Sequence, residues 1–301
     1  MNKKIVIIGG LNLDICHAIK DNIKINESNI GDISFSLGGV SYNIFINLFR
    51  LNVDVEFISS IGDDYFSKLA LKMLIKENVS IEKIKINNKT SMPIYSYVLD
   101  NCNDMFLAVN DMKAIDFVNI DYIKKFKDIL EKASYIIIDT NLKQDVIEYL
   151  CINFPNKILV DGVSYIKVKK LKNVLQYIHS IKINKNELIS LLDKNEDNIN
   201  IYKEINCLLN KGLKNIFVSD GRNGIYYNDD LTIKKLTNKP FEVINASGAG
   251  DALASGIFYG IINDLNKYEQ VINGLKIVKY TLLSNSSTSQ NISEKILKKG
   301  G

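Results

Sequence analysis

The stretch Asn245-Ala246-Ser247-Gly248-Ala249-Gly250-Asp251 decides how this chain is read. Just before it, Phe241-Glu242-Val243-Ile244 has the aromatic and β-branched content of a strand. Just after it, residues 252–262 carry the small and apolar side chains of a buried helix. Small residues between a strand and a helix leave backbone N–H groups bare. With the positive end of the helix macrodipole behind them, they form an anion site. Asp251 falls in the first turn. A carboxylate there is electrostatically costly unless it has a task, such as taking a proton from a hydroxyl that attacks a phosphoryl group. The same residues would also serve a tight turn with Asp251 as a helix cap, so the rest of the chain must decide.

Composition narrows the choice. The 301 residues are 46% hydrophobic and 24% charged, an ordinary balance for a globular α/β chain. The net charge of +4 comes from 38 basic and 34 acidic residues that are interspersed, which argues against a nucleic-acid or membrane surface. Cys16, Cys102, Cys151 and Cys207 are far apart and form no Cys-x-x-Cys pair, so a disulfide framework or cysteine metal site is not expected. The only histidines are His17 and His179, too few for a Ser-His-Asp or zinc-histidine mechanism. His179 closes a helical stretch and reads as structural. The opening apolar run, Ile5 to Ile8, is too short for a signal peptide, and no run reaches a membrane helix. A cytoplasmic location is expected.

Working toward the N-terminus, Ile5-Val6-Ile7-Ile8 suits a parallel strand buried on both faces. Gly9-Gly10-Leu11-Asn12-Leu13-Asp14 follows at its C-terminal end, where open α/β sheets bind ligands. Asn12 and Asp14 alternate, so both can face one ligand; a turn after the strand is the plainer alternative. Ile33 to Leu37 alternates like a half-buried strand. Gly38-Gly39 then opens a helix with apolar positions 44, 45, 48, 49 and 51 and Asn43 in its first turn. Residues 92–98 and 105–110 read as a hairpin around Asp100–Asp104. From residue 120, strands at 135–139, 158–161, 180–184 and 215–219 alternate with helical stretches at 121–132, 143–151, 167–176 and 199–211, and a last long helix covers 267–283. This alternation specifies a mostly parallel sheet covered on both faces. Residues 1–301 therefore read as one α/β domain with a small β-rich lid inserted from about 16–37 and 90–112.

Three motifs in register add a resemblance. Gly38-Gly39-x-x-x-Asn43, Asn184-x-x-Glu187 and Ser247-Gly248-Ala249-Gly250-Asp251 are similar to those of the PfkB, or ribokinase-like, carbohydrate kinases, over residues 5 to 290. Within that family, Ala108-Val109-Asn110-Asp111-Met112, Val160-Asp161-Gly162-Val163-Ser164-Tyr165-x-Lys167 and His179-Ser180-Ile181-Lys182-Ile183-Asn184 resemble the group acting on the C-nucleoside pseudouridine. The resemblance implies a three-layer α/β/α fold and ATP-dependent phosphorylation of the pseudouridine 5′-hydroxyl. Another acceptor (ribose, inosine or adenosine) and a non-catalytic ligand-binding relative are the alternatives. It implies Asp251 as base, with Gly248, Ala249 and Gly250 amides on the transferred phosphoryl. It implies Asn12, Asp14, Gly38, Gly39, Asn43 and Asp111 on the acceptor, and Asn184, Ser219, Gly221 and Asn273 beside the nucleotide. It implies that Asn184 and Glu187 organise Mg²⁺ through water. Asn245 stands where most relatives carry a carboxylate near a monovalent cation, so strong potassium activation is not expected. A homodimer through the lid is implied by resemblance alone.

Overall fold

The fold is described in a computed structural model covering residues 3–195, 199–230, 232–237, 247–284 and 286–298. In chain order the first half contains β1 (Ile5–Ile8), β2 (Asn12–Ile19), β3 (Gly31–Gly38), α1 (Val40–Arg50), β4 (Val55–Gly62), α2 (Tyr65–Lys76), β5 (Ile84–Asn87), β6 (Ile94–Leu99) and β7 (Met105–Asp111). There follow α3 (Ile120–Lys124), α4 (Lys127–Lys132), β8 (Tyr135–Asp139), α5 (Gln144–Asn153), β9 (Ile158–Asp161), β10 (Ile178–Asn184), α6 (Lys185–Leu191) and α7 (Ile201–Asn210). The last part holds β11 (Asn215–Ser219), β12 (Ile225–Asp229), β13 (Thr232–Leu236), α8 (Ala249–Ile262), α9 (Lys267–Leu282) and α10 (Glu294–Lys298).

Among the described residues, nine strands make one sheet in the order β13-β12-β11-β10-β9-β8-β1-β4-β5. The pairings from β11 through β5 are parallel, and β12 and β13 are added antiparallel at one edge. Apolar runs explain the parallel strands, because side chains alternate between two cores. Val6 and Ile8 enter the core under α3 to α7, whereas Ile5 and Ile7 enter the core under α1, α2, α8 and α9. Gly256 is what lets α9 approach α8, since a Cβ there would lie 2.5 Å from the Asn273 backbone. The parallel register brings Asp139, Asp161, Asn184 and Ser219 to the C-terminal edge of successive strands.

Four more of the described strands form a second sheet in the order β3-β2-β6-β7. Asn12 and Asp14 do not sit in a turn, as the plainer alternative had it; they begin β2, which leaves the body only three residues after β1. Strand β3 likewise starts at Gly31, earlier than alternation alone marks it.

Other expectations need correction. The helix expected over 121–132 is split into α3 and α4 near Phe126, whose ring packs edge-on against Tyr122 at 5.1 Å. The helix expected over 167–176 is two short 3-10 turns, because Lys170 is tied to carbonyls of the loop after β8. His179 lies within β10, edge-on to Tyr135, and burial pushes its pKa down to about 4. The strand expected at Phe241–Ile244, and Asn245, lie outside the described residues.

Candidate active site

The first turn of α8 forms the floor of a cavity of about 450 Å³. Gly248 is its N-cap, with φ +77, and a Cβ there would lie 2.0 Å from the Ser287 carbonyl oxygen. Both facts require glycine. A glycine N-cap offers no side chain to this turn, and the N–H groups of its leading residues have no acceptor within the helix and present the dipole's positive end. Asp251 sits among them. Asn43 Nδ2 donates to Asp251 Oδ2 at 2.7 Å, and Ser287 Oγ donates to Asn43 Oδ1 at 3.4 Å. Burial pushes the Asp251 carboxyl up to about 7, with the charge of Asp161 adding to the rise; the Asn43 amide and Lys182 hold it back.

The small sheet supplies the facing wall. Asn12 Nδ2 donates to Asp14 Oδ1 at 2.5 Å, and both side chains line the cavity. Burial raises the Asp14 carboxyl to about 6 against the pull of that bond. Gly38 and Gly39 act by absence. A Cβ on Gly38 would lie 2.2 Å from Asp14 Oδ2, and one on Gly39 2.8 Å from Asn12 Oδ1. Gly39, at φ +104, also turns the chain into α1 so that Asn43 reaches Asp251. Tyr95 and Tyr97 of β6 face the same space, opposite Asp14 and Cys16 in register.

Beneath the floor lies a buried charge cluster. Lys182, 4% exposed, pairs with Asp161, 2% exposed, at 3.1 Å. Burial opposes the lysine's charge, but the Asp161, Glu187 and Asp251 carboxylates prevail and raise its pKa. A Cβ on Gly250 would come within 3.0 Å of Lys182 Nζ. Asp139, fully buried, accepts from the N–H groups of Gly10, Ser41 and Asn141, and so pins the β1 exit and the start of α1 to the end of β8.

Farther along the strand ends, Asn184 and Glu187 form a reciprocal capping box at the start of α6. Glu187 Oε1 accepts from Asn184 Nδ2 at 2.7 Å and Oε2 from the Asn184 N–H at 2.9 Å. Burial pushes Glu187 up to about 7, and the Asp161 charge adds to this. Ser219 pairs with Asn184 in register, and Gly221, at φ +52, has open space where a Cβ would stand. Among the described residues, no cluster of three histidine, cysteine or acidic side chains could hold a metal by itself.

Two expected residues do not join this cavity. Asp111 is turned out, accepting from the Lys113 N–H and ammonium, while its neighbours Asn110 and Met112 face in. The period of 2 in β7 is the reason. Asn273 instead faces a separate depression between α8, α9 and α10. Sequence reading also passed over the placement of Ser287, which lay in a Ser/Asn/Thr-rich loop, and of Lys182, Tyr95 and Tyr97. Lys182 carried a signal: a charge inside an otherwise apolar parallel strand requires a buried partner.

An anion-binding helix start, one carboxylate and an amide-carboxylate pair across a cavity make a site suited to moving a phosphoryl group onto a polyol. The architecture agrees with solved kinases. A carbohydrate kinase from Agrobacterium tumefaciens superposes with a TM-score of 0.83 at 24% identity, covering 98% of this chain and 95% of its own. A ribokinase of Arabidopsis thaliana, complexed with ribose and ATP, superposes at 0.81 with 16% identity over the whole of both chains. Residues 2–284 match the model of the pfkB family of carbohydrate kinases, and the chain belongs to that family. Among curated relatives, a pseudouridine kinase of Escherichia coli K12 is 30% identical over 260 residues, 84% of this chain and 82% of the relative. The chain is therefore a phosphotransferase of the pfkB family with a ribokinase-like fold. Among the described residues, no helix is long and apolar enough to cross a membrane.

Proposed function

We propose that this kinase phosphorylates the 5′-hydroxyl of pseudouridine. The observation that carries the reading is Asp251, held by Asn43 at 2.7 Å, facing the Asn12–Asp14 pair across a cavity of about 450 Å³. That volume falls in the range of small-ligand sites, roughly 300–1,000 Å³. Similarity to the Escherichia coli pseudouridine kinase supports the choice of acceptor.

In this reading Asp14 and Asn12 hold the ring hydroxyls, with Gly38 and Gly39 leaving room for them. Asn43 orients Asp251, which accepts the proton as the 5′-oxygen attacks the γ-phosphoryl in line. A carboxyl near 7 is matched to that task at neutral pH. The amides of Gly248, Ala249 and Gly250 face the charge that develops on the transferred group. Asn184, Ser219 and Gly221 flank the nucleotide, and the open space at Gly221 leaves room for it. Glu187 would hold Mg²⁺ through water, with a lone pair left on each oxygen beside the bond it accepts from Asn184. When bound, Mg²⁺ would neutralise charge on the phosphate oxygens.

A homodimer belongs to the same proposal. Ile33, Phe35, Leu107 and Val109 lie on the lid face turned away from the cavity, each at least half exposed. Covering such a patch is its natural use.

The acceptor is tested by incubating the protein with Mg-ATP and an equimolar mixture of pseudouridine, uridine, inosine, adenosine and ribose. Pseudouridine monophosphate is expected as the dominant mass-shifted product. A higher kcat/KM for any other member overturns the assignment.

A further inference from the structure

From Asn43 onward, helix α1 is apolar except along one stripe. Asn43, Asn47 and Arg50 recur at i, i+4 and i+7, so they share a face, and that face meets α8 and the segment 286–289. Asn43 holds the Asp251 carboxylate. One turn on, Asn47 Nδ2 donates to Ser255 Oγ at 3.1 Å, and Ser255 Oγ donates to the Asp251 carbonyl at 2.6 Å. Asn47 is fully buried, and its Oδ1 has no partner among the described residues. At the end of the stripe Arg50 spans two partners. Its Nη1 donates to the Ser289 carbonyl at 3.1 Å and its Nη2 to Glu77 Oε2 at 2.8 Å. Polar groups buried between elements are costly, so a row of three marks a relative position that the fold must hold.

The segment that Arg50 grips meets the start of α8 and the side chain that holds Asp251. The Ser287 carbonyl packs against the Gly248 N-cap, 2.0 Å from where a Cβ would stand. Ser287 Oγ donates to Asn43 Oδ1, the oxygen of the amide whose nitrogen holds Asp251. At 3.4 Å this bond is long beside the roughly 2.7–2.8 Å usual for a hydroxyl donor. It is the weakest link of the row, and a small retreat of the segment breaks it. The Asn43 amide then loses the bond that fixes which of its ends faces Asp251. Arg50 is placed to prevent that retreat. Ser289 is two residues from Ser287, the guanidinium holds its carbonyl by a charge-assisted bond, and Glu77 fixes the guanidinium in turn.

We propose that Arg50 is a positioning residue: through the Ser289 carbonyl it holds Ser287 against Asn43, and so keeps the Asn43 amide turned toward Asp251. The inference rests on Asp251 as the base in the reading above. The charged groups that face Asp251 are Asp161 on β9, Lys182 on β10 and Asp139 on β8. None of them belongs to α1 or to the segment 286–289, so a change at Arg50 reaches the carboxyl through Asn43.

Arg50→Met, which keeps the apolar stem, and Ser287→Ala are assayed for pseudouridine phosphorylation from pH 5 to pH 9. Each should lower kcat about 3- to 30-fold, a part of what a general base supplies, with the KM for ATP within about 2-fold. Each should move the acid limb of kcat/KM upward by about half to one pH unit, as expected when a carboxylate loses one neutral hydrogen bond. The double variant should lose no more than Arg50→Met alone, because both act through one bond. Arg50→Lys keeps the cation without the fork and should recover only part of the loss. A lower melting temperature with an unmoved acid limb would mean a merely structural role and overturn the proposal, as would losses that simply add. Carbon-13 titration of the Asp251 carboxyl, assigned by its absence in Asp251→Asn, separates this inference from the kinase reading because it needs no substrate. A higher pKa in Arg50→Met upholds the tie from Arg50 to Asp251 even where no acceptor is turned over, and an unchanged one overturns it.

Discussion

Replacing Asp251 by asparagine should have opposite effects on catalysis and on stability. Loss of a general base typically slows turnover about 10²- to 10⁴-fold, or roughly 3–5 kcal/mol of barrier. The folded protein should gain. Its carboxyl rises from 3.8 to about 7 on folding, so between those values the folded state binds more protons than the unfolded one, and stability falls as pH rises through that window. At 1.36 kcal/mol per unit the full shift is worth roughly 4 kcal/mol at pH 8, and water in the cavity reduces this to on the order of 2. The variant lacks this penalty. Thermal melts of both proteins from pH 4 to pH 8 should therefore coincide at the acid end and diverge toward pH 8, the asparagine protein melting higher. Activity at pH 8 should be all but lost. Near-normal turnover would remove Asp251 from the mechanism. A variant that melts lower at pH 8 would refute the charge reasoning, since it would mean the carboxylate stabilises the fold.

Three further outcomes follow from the same geometry. In wild type, kcat/KM should drop about tenfold per pH unit below about 7, because only the ionised carboxylate takes a proton; Asn43→Ala removes a bond that favours that form, so its acid limb should lie higher. Gly248→Ala should cost at least about 1–3 kcal/mol in chemical denaturation, from positive φ and collision with the Ser287 carbonyl. Phe35→Lys combined with Leu107→Lys should give a monomer by light scattering with an unchanged melting temperature; a dimer that survives both charges would place the interface elsewhere.

Much of this molecule is legible in its residues, and the gaps have physical causes. The parallel strands announce themselves because burial on both faces leaves only apolar choices, as in Ile5 to Ile8 and Ile136 to Ile138. Gly248 and Asp251 are readable because turn geometry and buried charge tolerate few residue types. The small sheet was harder: β2 is a mix of polar and apolar residues whose partners, β3 and β6, begin twelve residues on and much farther along, and only those partners make it a strand. Asp111 stands one position from Asn110 and Met112, which in a strand is the difference between facing the cavity and facing solvent. The helix expected over 167–176 failed because side-chain ties from Lys167 and Lys170 to a neighbouring loop outweigh local helical preference.

The three-residue passage from β1 into β2 has a mechanical consequence. Asn12 and Asp14 belong to the small sheet, whereas Asn43 and Asp251 belong to the body. A guest molecule gripped by all four spans the two, so any swing of the flap carries half of the grip with it. If the small sheet swings, capture and closure would be a single event, and Gly9 and Gly10, which join the two parts, lie against the Asp139 anchor in the body.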